Sequence, residues 1–406
     1  MIEYLSYILF FGTLIIFFIY IFIRIKYGFW AMQPVFHVYN LSYYLNAPGI
    51  INDSLPEKNK YTNFKDINTI LFSDMTSIQK QRFFNLIKLN YLQNKDNIFS
   101  PKPDNIIPYF NGHNDKSFIS FFYKNENMID LKNGNIICDE KPIAVMTSRP
   151  LNVVINNDNT SKNNANISNK FSVYYIDYLC VNRLDRKKGI APQIIQTHHY
   201  NQSHLNKNIV ISLFKREDEL TGIVPLCVYS TFGFSVDKWT KPIELSGEYK
   251  LLEINSQNFR FLYDFILYNS TKFDIIIKAE VTNILELIKT KNIIIYAVIC
   301  DEIIQCCYFF RKTCVEIEKG LEVLSCFASI CNCEHDIFIR GFKISFWKIA
   351  AENYFGFAAI ENVSHNDIII NNIILKTKPL IISPTAYFFY NFAYPTFKSD
   401  KVLIIN

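Results

Sequence analysis

Tyr178-Leu179-Cys180-Val181-Asn182-Arg183-Leu184-Asp185-Arg186-Lys187-Lys188-Gly189-Ile190-Ala191-Pro192 runs from a buried strand through a basic, glycine-containing turn into a helix. Val173 to Val181 is apolar, β-branched or aromatic enough for a central strand, and from Ala191 to His199 the side chains of Ile194, Ile195 and Gln196 fall at helical spacing. Between them Arg186, Lys187 and Lys188 crowd Gly189. The first amides of a helix have no intrahelical acceptor, and the helix dipole makes the same end positive. Such a turn can hold a phosphate. Taken alone, these residues leave two readings open, an anion cradle and an ordinary solvated loop.

With 406 residues, half of them hydrophobic, the chain has material for two domains or one large double domain. A net charge of +5 is mild, and apart from Arg183 to Lys188 the basic residues are scattered, so no nucleic-acid surface is expected. Residues 4 to 23 carry no charge and are long enough to cross a bilayer as a helix. Glu3 before the run, and the lack of a small-residue cleavage site after it, argue against a signal peptide. Arg24 and Lys26 place the following residues on the cytosolic side by the positive-inside rule, so a single-pass anchor is expected over 1–26. The ten cysteines lack a paired zinc-ligand spacing and fit reduced, buried thiols. A metal at Cys331, Cys333 and His335 is the minor alternative, and no metal is assigned.

Past the anchor, the aromatic run Tyr27 to Val35 closes on Pro34 and reads as a linker or arm. Residues 66 to 93 read as helices, and Ile143 to Met146 and Leu151 to Ile155 as strands of a hairpin or meander. The polar stretch Asn156 to Asn169 reads as an exposed loop. In the second half, Ile293 to Cys300 and Glu302 to Phe310 read as a strand pair, Phe342 to Asn353 as a helix, and Ala386 to Ala393 and Lys401 to Ile405 as strands. Interleaved strands and helices in both halves predict two α/β units, although no sequence repeat is visible.

The spacing Arg186-x-x-Gly189-x-Ala191 resembles the pyrophosphate loop of the GNAT acyltransferase superfamily. Three separated stretches together resemble eukaryotic N-myristoyltransferase, also called glycylpeptide N-tetradecanoyltransferase. They are Phe29-Trp30-x-x-Gln33-Pro34-Val35, the opening motif itself, and the tail with Tyr387-Phe388-Phe389-Tyr390-Asn391-Phe392 and Lys401-Val402-Leu403-Ile404-Ile405-Asn406. The likeness covers about residues 27 to 406, and it is expected to end where the family ends. It implies an α/β (α+β) fold of tandem GNAT-like halves around a mixed twisted sheet, plus the N-terminal transmembrane helix. The halves are placed at 27–235, binding acyl-CoA, and 236–406, binding peptide.

The same resemblance implies transfer of myristate from myristoyl-CoA, the co-substrate, to the N-terminal glycine of a peptide or protein, with no further cofactor. The backbone amides of Tyr178 and Leu179 would polarise the thioester carbonyl, and the terminal carboxylate of Asn406 would take the proton of the incoming amine. CoA contacts carry over to Gly28, Phe29 and Trp30, to Cys180 and Val181, and to Lys187, Gly189, Ile190 and Ala191, with Arg186 and Lys188 neutralising phosphate. Tyr91, Phe99 and Tyr229 would line the peptide groove. The family's acidic loop for a basic substrate residue aligns with Gln93-Asn94-Lys95-Asp96, which keeps one acid and adds a lysine, and no hydroxyl appears near Phe214-Lys215-Arg216. These departures predict an altered acceptor. They also leave two other readings, a lysine or small-amine fatty acyltransferase, and a module that only binds acyl-CoA or myristoylated proteins.

Overall fold

The long β-branched and aromatic runs of this chain cannot be satisfied singly, and they assemble into one mixed sheet. A computed structural model describes residues 2–45, 49–92, 97–129, 136–156, 169–217, 222–318, 320–353 and 355–406. The strands that position the site are β1 (Phe118–Ile129), β2 (Ile136–Ile155), β3 (Lys170–Val181), β4 (Ser212–Glu217) and β5 (Cys227–Ser235), followed by β6 (Ile275–Lys278), β7 (Leu321–Cys331), β8 (Phe355–Glu361), β9 (Ile381–Tyr390) and β10 (Val402–Ile405). In a sheet of 15 strands they run in the order β10-β6-β2-β3-β4-β9-β5-β8-β7 and continue through Ile303–Glu318, Ile293–Cys300 and Tyr249–Glu253. The helices used below are α1 (Ile2–Tyr27), α2 (Ser77–Asn90), α3 (Ile190–Leu205), α4 (His335–Asn353) and α5 (Asn366–Ile374).

Two crossovers repeat. β3-α3-β4 and β7-α4-β8 each return to a parallel neighbour, β3 to β4 and β7 to β8. This is the internal repeat that the residues themselves conceal. The sheet passes from one unit to the other through β4-β9-β5-β8, so it is continuous across residues 235 and 236, where β5 ends.

Two local expectations are corrected. Ile67–Leu71 is a strand paired with β1, and only Ser77–Asn90 of the 66–93 stretch is the long helix, opened by a Thr76/Gln79 capping box. Short apolar runs do not separate helix from strand, and here Ile67, Thr69 and Ile70 favour the pleat. The two strands read at 143–146 and 151–155 are a single strand, β2, passing through Pro150. On that edge of β2 the ladder to β1 stops at Ser148 and the ladder to β6 starts at Asn152. Pro150 lies in the gap, where a missing N–H costs no ladder bond. The polar loop read at 156–169 lies mostly outside the described residues.

α1 contains one segment, Leu9–Tyr27, with mean hydropathy 2.1 and no burial, long and apolar enough to cross a membrane. Gly28 closes it at φ +49, in the left-handed conformation that suits glycine after a helix. The arm beyond it docks at the end of β9 and against β4. The Tyr390 hydroxyl donates to Gln33 Oε1 at 2.6 Å, the Asn391 N–H donates to the Pro34 carbonyl at 2.6 Å, and Trp30 stacks on Phe214 at 5.7 Å. Arm and tail, more than 350 residues apart in the chain, are one local structure. Because Gln33 is buried, Tyr390→Phe should strand its carbonyl oxygen and lower stability by about 1–3 kcal/mol, read as a drop in melting temperature.

Candidate active site

β3 is the wall of the site. Its antiparallel register with β2 passes from Ile176↔Ser148 to Leu179↔Met146, so Asp177 and Tyr178 together oppose Thr147 in a β-bulge. The bulge takes the Tyr178 N–H out of the ladder, and it donates instead to the Thr147 hydroxyl at 3.0 Å. On its other side β3 is bonded to β4 only from Tyr174↔Ser212 to Ile176↔Phe214. Beyond that point the two parallel strands part and leave a wedge.

The wedge holds a cavity of about 480 Å³, lined by Leu179 of β3, Phe214 of β4, Trp30 of the arm, and Ile195, His198 and His199 of α3. On the opposite face of β3, Tyr178 lines a second cavity of about 580 Å³ that also takes Tyr91, Phe99, Arg149 and Arg311. Tyr91, Tyr175, Asp177 and Lys215 line both, so the cavities meet at the bulge.

Past the open end of the wedge, where β3 ends at Val181, the turn into α3 is held from outside. The Arg183 N–H donates to Asn90 Oδ1 at 3.0 Å, Arg186 donates to the Asn90 carbonyl at 2.7 Å, and Lys188 pairs with Asp185 at 2.8 Å. Gly189 takes φ +74 as the N-cap of α3, with open space where a side chain would stand. Conformation, not crowding, requires the glycine. Lys187 and Gly189 are exposed, Ala191 is half-buried, and Ile190 is buried beneath them. Of the three cations, Arg186 and Lys188 are thus engaged in holding the turn. Cys180 and Val181 follow the bulge; Cys180 is buried, which pushes its thiol up to about 12.

The floor of the junction is charged, which sequence reasoning missed. The Arg149 Nε donates to both oxygens of Asp177 at 3.0 and 3.1 Å, and its Nη1 is buried without a partner. Burial raises the Asp177 carboxyl despite Arg149. Glu361 accepts from Tyr229 Oη at 2.6 Å and from Lys215 at 3.2 Å, with Arg311 at 3.6 Å. Burial alone would raise Glu361, and the two cations with the Tyr229 hydroxyl hold it below the usual carboxylate value. Tyr229 therefore stands behind Glu361, while Tyr91 and Phe99 pack on Tyr178 within the cavity wall. No local motif marks these five charged residues, which come from five strands.

Asn406 is 1% exposed, and neither atom of its side-chain amide has a partner. It does not line either cavity. Its position follows from register: Ile405 is level with Lys278, and Lys278 with Asn152, so residue 406 continues toward the end of β2 that carries Arg149. Residues 93–96 lie outside the described residues. Cys331, Cys333 and His335 line a separate shallow pocket, and among the described residues no group of three His, Cys, Asp or Glu side chains is placed to hold a metal.

This is a tandem GNAT fold: a tandem GNAT protein from the clavulanic acid biosynthesis pathway superposes with a TM-score of 0.51 at 8% identity, over 82% of this chain and 100% of that one. More of the chain follows N-myristoyltransferase. The Saccharomyces cerevisiae enzyme with bound myristoyl-CoA superposes with a TM-score of 0.69 at 11% identity, over 92% of this chain and 94% of that one. The same enzyme with myristoyl-CoA and inhibitors gives 0.68 at 12%, over 92% and 91%. The chain has the N-myristoyltransferase fold. No protein-family model and no curated protein matches it in sequence.

His198 bridges the hydroxyls of Ser120 and Ser148 at 2.7 and 2.9 Å, and burial lowers it to about 3; burial lowers His199 to about 4. Both stay neutral in the folded chain and protonate below about 6.5 in the unfolded one. Stability should therefore fall as pH drops from about 6.5 toward 4, by up to about 1.4 kcal/mol per pH unit for each histidine. Melting temperatures across this range check it, and His198→Gln should make the slope shallower.

Proposed function

We propose that this protein transfers a fatty acyl group, myristate, from its CoA thioester to the N-terminal glycine amine of a polypeptide. The observation that carries the reading is the parting of β3 and β4 beside the bulge at Asp177 and Tyr178, in this fold. The wedge would take the acyl chain and pantetheine, lying between Leu179, Phe214 and Ile195. The CoA pyrophosphate would sit on the turn from Arg186 to Ala191, at the N-terminus of α3. Gly28, Phe29 and Trp30 would close over it from the arm, and Cys180 and Val181 would flank it. Arg186 would serve by fixing the turn, leaving Lys187 and the first α3 amides to meet the phosphates.

In this reading the glycine nitrogen attacks the thioester carbon from the second cavity, between Tyr91 and Phe99. A C–N bond forms, the C–S bond breaks, and CoA leaves as its thiol. The oxyanion would be met by the N–H groups of Tyr178 and Leu179, the former exchanging its Thr147 partner for the substrate. The ammonium proton would pass to the main-chain carboxylate of Asn406, on the Arg149 side of the junction. Tyr229 would hold Glu361, and through it Lys215 and Arg311, in place. The helix α1 would anchor the enzyme in a membrane with its catalytic part in the cytosol.

Full-length protein given myristoyl-CoA and glycine-initiated peptides should yield acyl-peptide detectable by mass spectrometry; intact CoA binding with no product from any such peptide would overturn the reading. One residue appended after Asn406 should lower kcat on the order of a hundredfold or more and leave acyl-CoA affinity unchanged. Ile195→Trp, which fills the wedge, should shift the preferred acyl-CoA to shorter chains, read by competing chain lengths in one reaction.

A further inference from the structure

A third concavity, of about 880 Å³, lies between the end of β5, the helix α4 and the end of α5. Six cations line it, Lys238, Lys241, Arg340, Lys343, Lys376 and Lys378, against two carboxylates, Asp237 and Asp336. A net of four positive charges, out of five for the whole protein, is gathered in one groove. The cations are spread over 140 residues of sequence, so only the fold collects them. Both carboxylates are engaged, Asp336 with Arg340 at 2.7 Å and Asp237 with the Ser235 hydroxyl at 2.6 Å. Half-buried Lys343 donates to Asn372 Oδ1 at 2.8 Å, and its ammonium is held below the usual lysine value by burial and by Lys376. Like charges facing one another in a concave site raise the local affinity for an anion. Trp239 and Trp347 give the groove apolar walls.

The groove adjoins the acceptor cavity. Leu380 lines both, its N–H donating to the Gly233 carbonyl at 2.8 Å; Gly233 lines the acceptor cavity, and Ser235 the basic groove. Two residues along β5 separate them, roughly 7 Å. A bilayer fits less well as the occupant. The anchor ends where the Tyr27 ring packs over Gly222, before the other end of β5, about 25–30 Å from Ser235 along the strand.

We propose that this groove binds an acidic stretch of the acceptor polypeptide, lying downstream of its reactive amine. The proposal rests on the acyl-transfer reading of the adjoining cavity. It names the acceptor class as glycine-initiated chains with clustered Asp or Glu a few residues on.

The test is fluorescence anisotropy of labelled glycine-initiated peptides that carry acidic, neutral or basic residues downstream, on the full-length protein in non-ionic detergent, alongside the acylation assay. The acidic peptide should bind at least tenfold more tightly than the others, and binding should weaken with salt. Lys343→Glu with Lys376→Glu should remove that preference and raise KM for the acidic peptide, leaving kcat and acyl-CoA affinity in place. Lys378→Glu, a fully surface change, should do so in part if the double variant does not fold. Equal binding of acidic and basic peptides overturns the proposal, as does a groove that prefers an RNA oligomer or anionic vesicles to the acidic peptide. Acylation without acidic preference sinks this inference alone. Acidic preference without acylation sinks the enzyme reading and leaves an acidic-peptide site.

Discussion

Everything at the site depends on two neighbouring strands ceasing to pair. Parallel strands in a buried sheet normally stay bonded along their length, because each abandoned N–H or C=O costs free energy away from water. Here β3 and β4 keep three residue pairs and then separate at Ile176 and Phe214, just where β3 bulges against Thr147. The bulge and the parting are coupled: an extra residue on β3 bends the strand away from its neighbour and rotates successive side chains. Leu179 faces one part of the space so opened and Tyr178 the other, and Asp177 and Lys215 line both. One strand thereby serves two adjoining cavities.

The second crossover shows what happens when the same geometry is not kept open. β7 and β8 pair from Glu322↔Phe355 to Cys326↔Ile360, after which β7 runs on to Cys331 without β8, still paired on its other side with Ile303–Glu318. The residues after β8 fill that gap. The Ser364 hydroxyl accepts from the Ser329 N–H at 2.9 Å, Asn366 Oδ1 accepts from the Ser329 hydroxyl at 2.6 Å, and His365 Nδ1 accepts from the Cys331 N–H at 2.8 Å. The backbone donors that would face a ligand are spent on the protein itself. The two halves share a topology, and the described residues give an open wedge to the first alone.

The legible parts of this chain were those with local signatures. The strand, turn and helix from Lys170 to Leu205 follow from spacing, and the arm and tail from short motifs that the fold brings together at Gln33 and Tyr390. The bulge was not legible, because a register shift is a property of two strands and β2 and β3 carry no mark of it. Nor was the charged junction, since Arg149, Asp177, Lys215, Arg311 and Glu361 each look like isolated surface charges in sequence. The helical reading of residues 66–93 gives way over Ile67–Leu71 for the complementary reason: these five residues fit either period, and pairing with β1 decides between them.

The charged junction is also the least economical part of the structure. Each buried ion costs several kcal/mol of desolvation, which its partner seldom repays in full, so apolar residues of similar volume would serve stability at least as well. Arg149, at 1% exposure with one nitrogen unpartnered, and Arg311, with its Nε unpartnered, show that the network is not closed on itself. Unspent donors facing a cavity are useful when something with oxygen atoms enters it. A peptide backbone supplies carbonyls at about the spacing of a strand, and an adjoining basic groove would extend the same preference to carboxylates. In the proposed reaction, that same polarity would orient an acceptor amine toward the bulge.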